Sequence, residues 1–241
     1  MIGTFLNVGA IVLCGAIALA TRREPSARFQ TALKGLLGVM TVFVGLRLTV
    51  TNMGGGWRHI VKQLIIVLLS LILGRMLGQL LRLQKRSNRL GHYARQRMEA
   101  NDPVKQRKFA DGFITASLLF CLAPLAFLGA IQDGLAGKWQ VLAIKAVMDG
   151  LATVAFISTF GWSVMVAALP VLAFQGTLSL FAKYMAAQWL DPGLISAVNA
   201  TGGLLVFSVA LVILEVKKLP LTDYLPSVLV APLLAWVGGA W

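Results

Sequence analysis

Lys145 and Asp149 stand one helical turn apart inside VLAIKAVMDGLATVAFI (141–157), a stretch otherwise suited to the middle of a membrane. The i,i+4 spacing puts ammonium and carboxylate on one helix face, and Thr153 continues that face by a further turn. Alone at the centre of a membrane helix, either charge would cost about 2.5–3.5 kcal/mol. The pair must therefore face protein or water and neutralise itself. Two readings are open. It is a structural bridge that orients its helix, or Asp149 binds a cation or proton with Lys145 as its built-in counter-charge. In the second case the two charge states bias two conformations.

Other polar side chains sit at comparable depth. Asn7 lies in the first apolar run, and Gln175 lies in the middle of LPVLAFQGTLSLFAKY (169–184), five residues after Pro170. Proline removes a backbone hydrogen bond and kinks a helix. Amides donate and accept, so Asn7 and Gln175 either coordinate a solute or bridge helices. Asn199 and Thr201 precede Gly202 and Gly203, where they line a cavity or cap a helix. Gln132 and Asp133, in GAIQDGLAG (129–137), form either a first contact for cations or a plain Gly-rich turn.

The enzyme classes find no foothold. There is no phosphate-binding glycine loop, no GxSxG and no HExxH. His59 and His92 are in or near loops, and Cys14 and Cys121 lie inside apolar runs without metal-ligand spacing. No nucleophile stands beside a base. The expectation is a chain that is not an enzyme and carries neither cofactor nor metal.

The elements that position these residues follow from hydropathy. Of 241 residues, 58% are hydrophobic and only 13% charged, with a mean hydropathy of +0.79, more apolar surface than a soluble core of this size hides. The apolar runs are continuous rather than alternating and reach the roughly 20 residues that a membrane helix needs. The fold expected is an all-α polytopic membrane bundle of about eight spans, near 3–21, 31–51, 59–82, 112–131, 140–159, 162–188, 194–214 and 223–241. The first is read as a retained span, because Arg22 and Arg23 follow its apolar run rather than precede it.

Segment 83–110 carries eight Lys and Arg residues against two acids, with a break at Asn101-Asp102-Pro103. It is expected to be cytoplasmic. Counting from it, the loops at 22–30 and 215–222 also fall inside and both termini outside, in agreement with the positive-inside rule. The net charge of +13 is thereby assigned to topology and to anionic lipid headgroups rather than to nucleic acid.

A shift of 168 residues lays ALKGLLGVMTVFVGL (32–46) on ATGGLLVFSVALVIL (200–214) and carries Asn7 onto Gln175. Span 2 then corresponds to span 7, five spans on, so the copies run in opposite directions. The expected organisation is a first repeat at 1–82, the basic linker at 83–110, two central spans at 111–160 and a second repeat at 161–241. Gly-rich helices, including Gly74-x-x-x-Gly78, suit homo-oligomerisation or packing within one chain.

In order along the chain, GTFLNVGAIVLCGAI, ASLLFCLAPLAFLGAIQDGL, LAIKAVMDGL, LPVLAFQGTLSL, TGGLLVFSVAL and LPSVLVAPLL make a set that resembles the YqgA-like bacterial inner-membrane proteins, a domain-of-unknown-function family. The resemblance implies a polytopic inner-membrane protein, loosely linked to a sodium channel or pump role, with Asn7, Gln132, Asp133, Lys145, Asp149 and Gln175 on the polar positions of the pattern. The function expected is an ion-coupled secondary carrier of a small ion or solute. Its site residues would be Asn7, Gln132, Asp133, Lys145, Asp149, Thr153, Gln175 and Asn199. A non-transporting membrane scaffold is the second reading and a passive cation channel the third.

Overall fold

A computed structural model describes residues 1–21, 26–99, 105–186 and 191–238. Arg22, Arg23 and the Asn101-Asp102-Pro103 break fall outside the described residues. Among those described, all regular structure is helical: α1 (Ile2–Thr21), α2 (Ala27–Thr51), α3 (Trp57–Leu80), α4 (Leu83–Glu99), α5 (Lys105–Leu122), α6 (Pro124–Ala136), α7 (Gln140–Phe160), α8 (Ser163–Val166), α9 (Ala168–Phe181) extended by a π turn (Ala182–Ala186), α10 (Pro192–Ile213), a 3-10 turn (Leu221–Tyr224) and α11 (Ser227–Gly238).

Seven helical stretches are long and apolar enough to cross a membrane, and Phe109–Leu122 with Pro124–Ala136 makes an eighth when taken as one span. That pair is bent by 58°, where the sequence reading marked a single span near 112–131. The cause is local. Pro124 has no N–H to give the Phe120 carbonyl, and Ala123 leaves the helical region with ψ of 135°. Pro170 acts similarly on span 6, where the helix breaks at Ala167 between α8 and α9.

Burial is sorted as a bilayer demands. On α1 the enclosed positions are Gly3, Thr4, Asn7, Ile11, Gly15 and Ala18, whereas Phe5, Leu13 and Ile17 are exposed. Small and polar residues face the bundle while large apolar ones face outward, because lipid gives no hydrophobic reward for hiding leucine. Several enclosed hydroxyls bond within their own helix, as Thr41 does on the Leu37 carbonyl (2.6 Å) and Ser70 on that of Ile66 (2.7 Å).

Two features fix the frame. α2 and α10 cross with backbones in contact: a Cβ on Gly45 would lie 2.6 Å from the Phe207 nitrogen, and one on Gly203 2.7 Å from the Thr49 nitrogen. Thr49 Oγ1 also donates across the crossing to the Ala200 carbonyl (3.2 Å). The Gly74-x-x-x-Gly78 motif has an intramolecular partner, since Gly74 abuts Ser227 and Gly78 abuts Asp223. Beyond it Arg82, at φ 53°, turns the chain into α4, so the basic segment is helical over 83–99. Asp223 accepts the Gln84 backbone N–H (2.8 Å), and the Gln84 side chain accepts that of Thr222 (3.1 Å). These reciprocal bonds dock α4 on the turn before α11.

The glycine crossing is testable by thermal unfolding in detergent. Gly203→Leu is expected to destabilise by about 1–3 kcal/mol through overpacking. Gly35→Ala, where an added Cβ meets nothing within 4 Å, is expected to be neutral or slightly stabilising. Equal midpoints for the two variants would refute the close crossing.

Candidate functional site

Asp149 lies near the middle of α7, and Lys145 one turn before it. The Lys145 ammonium pairs with Asp149 Oδ2, and both side chains are almost wholly enclosed, at 2% and 10% exposure. Asn7 of α1 donates through Nδ2 to the same carboxylate oxygen (3.0 Å) and to Gln175 Oε1 of α9 (3.3 Å). The amide orientation follows from its neighbours, since Oδ1 turned toward Asp149 would set acceptor against acceptor. Three helices distant in sequence thus meet in one buried polar network.

The surroundings complete it. Lys145 Nζ lies 5.9 Å from the centroid of the Phe120 ring, within the range of a cation–π contact. Phe120 belongs to the last turn of α5, whose free carbonyls are the negative end of the helix dipole. Thr153 donates to the Asp149 carbonyl (2.8 Å) and keeps its hydroxyl inside α7. Asn7 Oδ1, Gln175 Nε2 and Thr4 Oγ1 are buried with no hydrogen-bond partner among the described residues. Buried polar atoms are normally satisfied, and two of these, Asn7 Oδ1 and Gln175 Nε2, belong to side chains that already take part in the network.

The remaining candidates lie elsewhere. Asp133 is buried inside α6 rather than in a turn, accepting the Gly3 backbone N–H (3.1 Å) and the Met1 amino group (3.2 Å). It caps α1, whose first N–H groups have no partner within the helix. The helix continues past Gly129 and Gly134 and ends only at Gly137, at φ 63°. Gln132, next in sequence, turns toward α10, where its amide nitrogen occupies the space beside Gly202. Asn199 is interior to α10 rather than a cap, because the helix already starts at Pro192, and its amide donates to Asn52 (3.4 Å), the residue that caps the end of α2. Gln132 and Asn199 have no direct bond to the Lys145–Asp149 network.

Sequence reading named Asn7, Lys145, Asp149 and Gln175 but gave the Phe120 ring no part. The signal available was Pro124, four residues later, which ends a helix one turn beyond an aromatic. Among the described residues no group of three His, Cys, Asp or Glu residues is arranged to hold a metal.

A double-mutant cycle measures what the pair contributes. Lys145→Met alone leaves a buried carboxylate without its counter-ion and is expected to cost about 3–5 kcal/mol, whereas Lys145→Met with Asp149→Leu is expected to recover most of that loss. Unfolding in detergent reads both. Strictly additive losses would mean that the two charges do not interact.

Comparison with known proteins gives the following matches. Residues 2–236 match the family described as Protein of unknown function (DUF554). The Uncharacterized membrane protein YdfK of Bacillus subtilis (strain 168) is 29% identical over 237 residues, covering 98% of this chain and 96% of the relative. The Uncharacterized protein YqgA of Escherichia coli (strain K12) is 27% identical over 244 residues, covering 100% of this chain and 99% of that protein. No solved structure matches.

Proposed function

The chain belongs to the DUF554 family, and we propose that it is an ion-coupled secondary carrier of a small ion or solute, with Asp149 as the coupling carboxylate. One observation supports this reading above the others. Asn7, Lys145, Asp149 and Gln175, contributed by α1, α7 and α9, converge in one enclosed network that still has unpaired polar atoms. A carboxylate held by a removable set of donors has two charge states, and a carrier needs two states of different affinity.

The inverted repeat belongs to the same proposal. Asn7 and Gln175, related by the 168-residue shift, touch each other, and α2 crosses α10, its counterpart under that shift. Contacts between equivalent elements are what a two-fold relation in the membrane plane produces, and solutes bind at such interfaces in known carriers. In this reading the basic helix α4 faces the cytoplasm of a bacterial cell and anionic lipid, and the chain performs no enzymatic chemistry.

A second reading draws on the closure of the pair, each charge being compensated by the other. A scaffold that uses Lys145 and Asp149 only to fasten α7 would keep its function in the apolar double variant.

Proteoliposomes containing a trapped pH dye, under an imposed proton or sodium gradient, separate the two. The wild type is expected to dissipate the gradient faster than protein-free liposomes, and folded Asp149→Asn to behave like protein-free liposomes. Wild-type flux from Asp149→Asn would remove Asp149 from the coupling role.

A further inference from the structure

The groups around Asp149 are mostly donors. Lys145 Nζ and Asn7 Nδ2 both point at Asp149 Oδ2, and Gln175 Nε2 is enclosed with no acceptor. On α1 two neutral oxygens are left over, Asn7 Oδ1 and Thr4 Oγ1, one turn apart. A metal ion would have to displace the ammonium from the carboxylate. It would also stand beside a second positive charge. The set is better suited to receiving an anion, and what occupies that role in this structure is the carboxylate of Asp149 itself.

From this arrangement, and resting on the carrier reading above, we infer that the coupling ion is a proton and the co-transported solute a small monoanion, a halide or a short monocarboxylate. The proton goes to the Asp149 carboxylate. Its charge is lost, so the Lys145 ammonium loses its counter-ion, and Asn7 Nδ2, still bonded to Gln175 Oε1, loses its charged acceptor. An unpaired ammonium in an apolar bundle is costly, so an anion entering beside Lys145, Asn7 Nδ2 and Gln175 Nε2 replaces it. On release the anion and the proton leave together and the Lys145–Asp149 pair re-forms. One positive and one negative charge cross, so the cycle moves no net charge.

Other titratable groups near the pair are few. Cys121 on α5 interacts electrostatically with both partners. Cys14 on α1 has its sulfur against Gly150 of α7. Asp133 on α6 is engaged with Gly3 and Met1. Among the described residues packed on this part of α7, Asp149 is the acid placed to control Lys145.

The test is a thermal midpoint read by tryptophan fluorescence on the full chain in detergent. N-methylglucamine chloride and N-methylglucamine formate are each compared with N-methylglucamine gluconate at equal ionic strength, at about pH 5 and about pH 8. In the wild type, chloride or formate is expected to raise the midpoint by about 2–4 °C at the lower pH and not at the higher. The salt that does so identifies the halide or the carboxylate class. In Asp149→Asn, which mimics the protonated acid, the rise is expected at both pH values. In Lys145→Gln, or in the uncharged Lys145→Gln with Asp149→Asn if the single variant does not fold, it is expected at neither.

Three results overturn the inference: no anion effect on the wild type, loss of the effect in Asp149→Asn, or a rise caused instead by sodium gluconate. If Asp149→Asn loses flux in proteoliposomes and also shows no anion effect, the carrier reading stands and the anion is withdrawn.

Discussion

An ammonium and a carboxylate placed at the depth of a bilayer core tolerate each other and little else. Every element around Lys145 and Asp149 is arranged to keep that pair together and lipid away from it. α1 approaches α7 through small residues: Gly3 lies against Leu142, and Gly150 against the Cys14 sulfur. The close approach brings Asn7 within 3.0 Å of the carboxylate. A bulkier residue at either glycine would part the helices and leave the Asp149 charge with one donor fewer. α5 ends where Pro124 forces it to, and its last turn presents the Phe120 ring to the ammonium. α9 brings Gln175 from the far side of the network. Packing and electrostatics at this site are one requirement, met from several helices.

Much of this was legible in the sequence because a membrane interior reverses the usual pattern. Continuous apolar runs marked the spans, and a charge or amide within a run had to point inward, so Asn7, Lys145, Asp149 and Gln175 declared themselves as enclosed. The i,i+4 spacing of Lys145 and Asp149 required only one helix to be known. What the sequence did not carry was long-range pairing. Asp133 read as a first contact for cations or as a turn residue among glycines, whereas the start of α1, 130 residues away in sequence, uses it as a helix cap. Gly74 and Gly78 fitted a dimer or an internal contact equally well, and only the position of Ser227 and Asp223 decides between them. Charge marked 83–110 as a basic linker and carried no signal of its local structure, whereas the αL turn at Arg82 and the Gln84–Asp223 bond begin a helix there.

The frame that holds the network is less polar and more rigid. Where α2 and α10 touch at Gly45 and Gly203, neither helix can slide without a backbone clash, so this crossing is suited to act as a fulcrum. The network itself is held by side-chain bonds that a change of charge on one residue would rearrange. In the proposed cycle this crossing would stay in place while the polar cluster rearranges.

In the proposed cycle Asp149 gains and loses a proton inside a network with Asn7 and Gln175. Infrared difference spectroscopy between acidic and neutral pH addresses it directly, because a protonated carboxylic acid has a C=O stretch resolved from the amide bands. A carboxylic band is expected in the acidic spectrum of the wild type, absent from Asp149→Asn and shifted in Asn7→Leu. A spectrum unchanged by Asp149→Asn would contradict the account.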